Sequence, residues 1–322
     1  MSLPSAVATV TTQPPAAAVP AAPESKLIPT PALITAMTAV SEKVSDLIFS
    51  PFRPPQVELN GELVAVPGQP VLTIADTTRV AGDLIGGNKR AVETLKNEGS
   101  CDLSYSVPNV GRFRVNIFRQ RGTYAIVMRV IPHGIPTIEE LNLPPQLAEI
   151  ANLKNGIVLV TGPTGSGKSS TLAAIIRLIN ETKAYHVVTI EDPIEFMHAH
   201  QKSTIHQREL HSDTPTFALA LRAALRQAPK VILVGEMRDK ETIEIAMMAA
   251  ETGHLVFSTL HTIDAAKTVE RIIGEFPLSD QGAIRNRLSQ SFRYIISQRL
   301  MPRKDGTARV AAIEILKSTM RT

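Results

Sequence analysis

A chain of 322 residues, 43% of them apolar, is long enough for two compact domains, because single hydrophobic cores stop growing at roughly 250–300 residues. Its apolar runs fall short of the ~18 residues that a membrane-spanning helix needs, so we expect no membrane span. The net charge of +4 permits contact with an acidic surface and does not demand nucleic acid. The absence of Trp and an aromatic content of 4% argue against a nucleic-acid translocase, which typically interleaves basic residues with stacking aromatics.

Residues 1–31 are rich in Ala and Pro and contain almost no large apolar side chains. Such a segment cannot offset its ordering entropy by burial, so we predict a disordered tail. The start lacks the positively charged region of a secretory signal. A single cysteine, Cys101, excludes a disulfide framework. We therefore expect a cytoplasmic protein.

Residues 32–131 are predicted to form a small α+β domain. Apolar residues from Leu33 to Leu47 recur at helical spacing and predict an amphipathic helix. Asn60-Gly61 between two short apolar runs predicts a hairpin with a type I′ turn. Helices are predicted at about 74–85 and 88–98, and strands at about 101–107, 112–118 and 123–131.

Residues 132–145 contain several prolines and little periodicity, which indicates a linker. From 146 to 322 the pattern changes, because short apolar runs alternate with helical segments near 167–180, 216–227, 240–251 and 264–274. The runs begin at Ile157, Val187, Val231 and Leu255. Short buried strands between helices indicate a mostly parallel sheet covered on both faces. The predicted fold class is therefore α/β, with the smaller α+β domain in front.

A phosphate-binding loop follows the first of these strands. The segment Gly162 to Ser169 reads Gly-Pro-Thr-Gly-Ser-Gly-Lys-Ser and matches the P-loop pattern between a strand and a helix. Backbone N–H groups would surround a phosphate, Lys168 would neutralise it and Ser169 would ligate Mg²⁺. The sequence therefore predicts an ATP site with Mg²⁺. Its predicted nucleotide-binding residues are Gly162, Pro163, Thr164, Gly165, Ser166, Gly167, Lys168, Ser169 and Ser170.

Carboxylates follow two further strands. The segment Glu191 to Glu195 follows the run that begins at Val187, and Glu236 follows the run that begins at Val231. Open α/β sheets bind ligands at the carboxyl ends of their strands. A hydrolytic ATPase needs one carboxylate to activate water and another beside Mg²⁺. Either acid group alone is compatible with a solvated loop, but their shared position favours a hydrolytic site.

Two histidines flank the fourth strand, His254 before it and His261 after it. We expect both near the acids, where they would hydrogen-bond the γ-phosphate or a carboxylate. The alternative is a structural role, which is the commoner one for a histidine beside a strand.

Four motifs in this order resemble the ATPases that power type II secretion and type IV pili. The likeness spans about residues 31–316. The chain is most similar to the retraction branch, because it lacks the four-cysteine zinc insertion of the other branches and carries Met237 within Gly-Glu-Met-Arg-Asp. The motifs are the P-loop, the acidic segment Thr189 to Glu195, the segment Ile232 to Asp239 and the histidine box Thr252 to Thr262, with Gly111 to Arg121 similar in the smaller domain.

The resemblance implies a PAS-like domain joined to a RecA-like ATPase domain, assembled as a homohexamer that couples Mg-ATP hydrolysis to pilus retraction and twitching motility. It implies that Glu191 activates water and that Glu236 is the Walker B carboxylate holding Mg²⁺ through water, although the two roles could be exchanged. His254 and His261 become sensors of γ-phosphate or of a subunit interface. The motor would bind no nucleic acid and would associate peripherally with the inner membrane through the pilus platform protein.

Arginines of the strand 112–118 are candidates for stabilising charge in the transition state. Because side chains alternate along a strand, Arg112 and Arg114 face away from its apolar residues. This pattern alone is equally typical of a solvated strand face. The resemblance favours arginine fingers that domain closure brings to the phosphate, with Arg119 and Arg121 also eligible.

The chain departs from the family at three places. Ala228-Pro229-Lys230 stands where Asp-Pro-Asp is common, and Ile48 stands where histidine is usual. The chain ends at Thr322, where relatives continue into a C-terminal helical region associated with retraction. Either the sequence is truncated there or this member lacks that region; ATP binding should survive in both cases.

Three other functions fit parts of the pattern. One is a pilus assembly or secretion ATPase, or an accessory retraction paralogue, of the same superfamily. Another is a RecA-like nucleic-acid translocase, which the scarcity of aromatic residues disfavours. The third is a ring that binds ATP without hydrolysing it, which Glu191 and Glu236 disfavour.

Overall fold

The computed structural model describes residues 28–132, 134–306 and 308–319. Most of the predicted tail, residues 1–27, lies outside these ranges. Helix α1, Thr30–Thr38, begins two residues before the predicted start of the smaller domain. No helix in the described ranges combines the length and apolar character needed to cross a bilayer.

The first helix is shorter than its apolar spacing predicts. Strand β1, Val44–Phe49, follows α1 after a turn. Val44 and Leu47 are both buried, and the pairing of β1 with β2, Gln56–Leu59, shifts register between them. Such a bulge puts residues three apart on one face, a spacing that also occurs in helices. The predicted continuation of the helix to Leu47 was therefore wrong.

The other elements of this region agree with the predictions. Asn60 and Gly61 have φ of 53° and 90°, as the predicted type I′ turn requires. The strands form a six-stranded antiparallel sheet in the order β3-β2-β1-β6-β5-β4. The remaining elements are β3 Glu62–Ala65, α2 Ile74–Ile85, α3 Lys89–Glu98, β4 Ser100–Val107, β5 Gly111–Gln120 and β6 Thr123–Val130.

A second sheet follows a 3-10 helix at Pro145–Asn152. Its order is β13-β12-β7-β11-β10-β8-β9, and every pairing is parallel except that of β12 with β13. The elements are β7 Gly156–Thr161, α4 Lys168–Thr182, β8 His186–Glu191, β9 Thr204–Glu209, α5 Phe217–Ala224, β10 Val231–Val234, α6 Lys240–Glu251, β11 Leu255–Leu260, α7 Ala265–Gly274, α8 Gln281–Ser291, β12 Phe292–Pro302 and β13 Arg309–Lys317.

Helices cover both faces of this sheet, as the continuous apolar runs predict. Along β7, Ile157 and Leu159 pack in one hydrophobic core with α5 to α8, whereas Val158 and Val160 pack in another with α4 and the 3-10 helix. All four side chains are at most 1% exposed. The fold is thus mixed α/β, with a smaller α+β unit preceding a P-loop α/β unit, and the predicted fold class is confirmed.

Replacing Leu159 by Ala tests the buried position of β7. Leu159 is 0% exposed, so Leu159→Ala removes packed methyl groups from the core and should lower the free energy of unfolding by about 2–5 kcal/mol. Chemical denaturation measures the change. Leu278→Ala is the matched control, because Leu278 is 87% exposed. Equal stability losses in the two variants would contradict this arrangement.

Candidate active site

The P-loop connects the carboxyl end of β7 to the amino end of α4. Gly162, Gly165 and Gly167 have φ of 144°, 75° and 87°, which glycine adopts readily because it has no Cβ. Gly167 caps α4 without a side-chain hydrogen bond, so no side chain blocks the first N–H groups of the helix. These groups and the helix dipole favour an anion at this end.

The loop also lies very close to strand β12. A Cβ atom at Gly162 would lie 2.2 Å from the carbonyl oxygen of Gln298, and one at Gly167 would lie 2.7 Å from Nε2 of the same residue. Gly162 is therefore required by packing against backbone as well as by its own backbone conformation, whereas a side chain at Gly167 would displace the Gln298 amide.

Lys168 keeps its ammonium group within the loop. Its Nζ donates hydrogen bonds to the carbonyl oxygens of Gly162 and Pro163 at 2.9 and 3.0 Å. Burial lowers the pKa of Lys168, and the charges of Glu236 and Glu195 oppose that change. The lysine is thus a buried cation with two acids nearby, which suits it to compensate phosphate charge.

A single cleft of about 470 Å³ brings most of the predicted site together. It is lined by the P-loop, the first turns of α4 and the carboxyl ends of β8, β10 and β11, as expected for a parallel sheet. Gly162, Pro163 and Ser166 belong to the loop but do not line the cleft. The predicted residues that line it are Thr164, Gly165, Gly167, Lys168, Ser169, Ser170, Glu191, Glu236 and His261.

Glu191 ends β8 and faces this cleft. Its Oε1 accepts hydrogen bonds from Thr189 Oγ1 at 2.6 Å and from Gln207 Nε2 at 3.1 Å. The surrounding protein raises the pKa of Glu191 by desolvation, and the two hydrogen bonds partly counteract that effect. A carboxylate with a raised pKa in a cleft is a better proton acceptor than an ordinary glutamate.

Glu236 follows β10, and its side chain is 16% exposed. Its Oε2 pairs with Arg238 Nε at 2.6 Å, and its Oε1 lies 3.5 Å from His261 Nε2. Thr259 Oγ1 donates to the carbonyl oxygen of Gly235 at 2.6 Å and ties the ends of β10 and β11 together. His261 therefore lies beside the second acid, where we expected it.

His254 lies elsewhere, so the prediction that both histidines lie near the acids was wrong for His254. His254 precedes β11, and its carbonyl oxygen accepts from the Gly156 N–H at the start of β7. Its ring Nδ1 lies 2.9 Å from the carbonyl oxygen of Ala249. The six residues of β11 separate His254 from the cleft by roughly 20 Å, because a strand rises about 3.3 Å per residue.

The predicted arginine fingers do not line the cleft in this chain. Arg112 and Arg114 do face away from the buried residues of β5, as the alternation predicts. Arg112 Nη2 pairs with Glu209 Oε2 at 2.9 Å, across the two sheets, and Glu209 also accepts from the Ile194 N–H. Arg114 is exposed, as is Arg119. The finger role stays a prediction.

Two glutamines in the site escaped the sequence reasoning. Gln207 bonds Glu191 from β9, an edge strand too polar to show an apolar run. Gln298 contacts the P-loop from β12. Gln298 follows the apolar run that ends at Ile296. Glu191 and Glu236 were found because they follow such runs, and Gln298 would have been found in the same way if β12 had been recognised as a strand.

Ser169 and Glu236 are the residues that could hold Mg²⁺. Both bring oxygen atoms to the same cleft, and oxygen is the ligand that Mg²⁺ prefers. Across the ranges that the structure describes, no group of three or more His, Cys, Asp or Glu residues could hold a metal by itself. Mg²⁺ commonly takes one or two protein oxygens and completes its shell with water and phosphate.

Comparisons with known proteins extend these observations. The model of the family "Type II/IV secretion system protein" matches residues 97–321. A "Twitching motility protein" of Neisseria gonorrhoeae is 48% identical over 265 residues, which cover 82% of this chain and 70% of that protein. "Type IV pilus retractation ATPase PilT" of Pseudomonas aeruginosa is 45% identical over 288 residues, which cover 89% of this chain and 83% of that protein.

A solved structure of the pilus retraction motor PilT with bound ADP is also similar. Its TM-score is 0.80 at 46% identity, over 88% of this chain and 83% of that chain. The family match runs from the end of α3 to beyond β13 and includes the whole candidate site. The chain therefore belongs to the type II/IV secretion system protein family.

Proposed function

We propose that this chain is a motor ATPase that couples ATP hydrolysis to the retraction of type IV pili, and thereby supports twitching motility. The observation that carries the proposal is the single cleft in which the P-loop, Glu191 and Glu236 meet. The P-loop supplies binding, and two carboxylates in different surroundings supply the means of hydrolysis. Two relatives at 45–48% identity, one named for retraction and one for twitching motility, support the pilus as the object of the motor.

The P-loop, Ser169, Glu191 and Glu236 each have a role in this proposal. The P-loop N–H groups and Lys168 bind the β- and γ-phosphates, and Ser169 with Glu236 holds Mg²⁺. When bound, Mg²⁺ neutralises charge on the phosphates. Glu191, with its raised pKa, orients the attacking water and accepts its proton. Glu236 remains the alternative for that step, since both carboxylates face the cleft.

The working form is proposed to be a homohexameric ring. Within one chain Arg112 is paired with Glu209, and neither Arg112 nor Arg114 lines the cleft. Closure of the smaller domain, or a neighbouring subunit, would have to bring Arg112 or Arg114 to the phosphate if either acts as a finger. His254 lies at the amino ends of the parallel strands, away from the cleft, so it suits a subunit contact better than a phosphate contact. The ring would work in the cytoplasm, peripherally at the inner membrane, against the pilus platform protein.

Loss of the P-loop cation or of the second acid should abolish hydrolysis. Lys168→Ala removes the ammonium that compensates phosphate charge, and Glu236→Ala removes a carboxylate beside it. Each should lower kcat/KM for Mg-ATP by about hundredfold or more, measured as phosphate release. Lys154→Ala is the control, because Lys154 is exposed near the opposite end of β7. Wild-type turnover no higher than that of Lys168→Ala would refute an ATPase.

The pH dependence of hydrolysis should report the environment of Glu191. The carboxylate form is lost as pH falls through a pKa raised above 4.5, so the acid limb of kcat/KM should lie above that value. Thr189→Val deletes a hydrogen bond that lowers the pKa of Glu191, and should move the limb to higher pH. Thr189→Ser keeps the hydroxyl and should leave the limb in place. An acid limb at the same pH in Thr189→Val as in the wild type would count against Glu191 as the proton acceptor.

Deleting the gene should distinguish retraction from assembly. A retraction motor disassembles pili, so the deletion strain should carry abundant pili that no longer retract, with twitching lost. Electron microscopy and surface motility measure the two traits. Complementation with Lys154→Ala should restore twitching, and complementation with Lys168→Ala should not. Cells without pili would indicate an assembly motor instead.

A further inference from the structure

Gln298 occupies the point where the P-loop leaves the sheet. Strands β7 and β12 pair in parallel as far as Thr161 and Ser297, whose hydroxyl groups hydrogen-bond at 3.0 Å. At the next residue β7 turns into the P-loop, whereas β12 continues alongside it to Pro302. Gln298 is the first residue of β12 beyond this pairing, and it is 3% exposed. A buried amide must find hydrogen-bond partners.

Both ends of the Gln298 amide are bonded to the nucleotide-binding segment. Its Nε2 donates to the carbonyl oxygen of Ser166 at 2.7 Å. Its Oε1 accepts from Thr171 Oγ1 at 2.8 Å, and Thr171 is 0% exposed in the first turn of α4. One side chain therefore joins the loop to the helix. A carboxylate could not donate to Ser166, and an apolar side chain could make neither bond.

Gln298 also restricts the P-loop backbone sterically. Its backbone carbonyl oxygen lies 2.2 Å from the place that a Cβ of Gly162 would take, and its Nε2 lies 2.7 Å from the place that a Cβ of Gly167 would take. Gln298 thus meets the loop near its beginning, at Ser166 and at the residue before Lys168. It does not line the cleft, so it does not touch the phosphate.

We propose that Gln298 is a positioning residue for phosphate binding, acting through Ser166 and Thr171. It fixes the P-loop backbone relative to α4, so that the loop N–H groups and Lys168 point to a common phosphate position. This inference rests on the proposed nucleotide site. Because Gln298 acts on the shape of the phosphate cradle, its loss weakens nucleotide binding more than it slows the chemical step.

The test compares Gln298→Met, Thr171→Val and their double variant with Thr171→Ser. Gln298→Met keeps the volume and loses both hydrogen bonds, and Thr171→Val loses one. We expect each single variant to raise the Kd for ADP and the KM for Mg-ATP by about tenfold, because each leaves a buried polar group unpaired. The kcat should change far less. The double variant should lose little more than the single ones, and Thr171→Ser should restore wild-type affinity.

Calorimetric titration with ADP, steady-state kinetics and thermal unfolding separate the outcomes. Folded Gln298→Met with wild-type affinity for ADP and a lowered Tm would overturn the inference, since Gln298 would then serve stability alone. If Gln298→Met does not fold, Thr171→Val, which keeps Gln298, is used in its place. Wild-type affinity for ADP with a lowered Tm in that variant would likewise overturn the inference. Lys168→Ala is measured in parallel to show whether the wild-type protein binds ADP at the P-loop. A wild-type protein that binds ADP no better than Lys168→Ala would refute the nucleotide site itself, not the role of Gln298.

Discussion

The parallel direction of β7, β8, β10 and β11 is the constraint on which the candidate site depends. Because these strands run the same way, the segments after them meet at one edge of the sheet, and the P-loop, Glu191, Glu236 and His261 line one cleft. The same rule excludes His254, which precedes its strand and lies at the opposite edge. Position relative to strand direction thus decides which polar residues can act on a bound nucleotide.

The charges at this edge are arranged around a buried lysine. Burial alone disfavours the charged form of Lys168, and the fields of Glu236 and Glu195 support it. Glu236 is in turn paired with Arg238 and lies beside His261, whereas Glu191 is held by neutral donors. One acid is therefore paired with an arginine, and the other is desolvated among hydroxyl and amide groups. Such a difference between two carboxylates is typical of sites that divide charge stabilisation from proton transfer.

Much of this arrangement could be predicted from the sequence, because the strongest signals are local. The P-loop, the Asn60-Gly61 turn and the buried runs of the second sheet each reflect chemistry within a few residues. The features that were not predicted depend on contacts between residues that are far apart in the sequence. The polar edge strand β9 shows no apolar run, and the bulge in β1 imitates helical spacing at Val44 and Leu47. The partnership of Gln298 with Ser166 and Thr171 joins residues more than 120 positions apart, and no local pattern reveals it.

The central claim is that ATP is bound and hydrolysed at the edge where these strands end. A crystal structure with Mg²⁺ and a non-hydrolysable ATP analogue tests it most directly. The account predicts the β- and γ-phosphates inside the loop from Gly162 to Ser169, with the γ-phosphate facing Glu191 and Glu236. A nucleotide bound elsewhere on the chain, or a γ-phosphate turned away from both carboxylates, would contradict it.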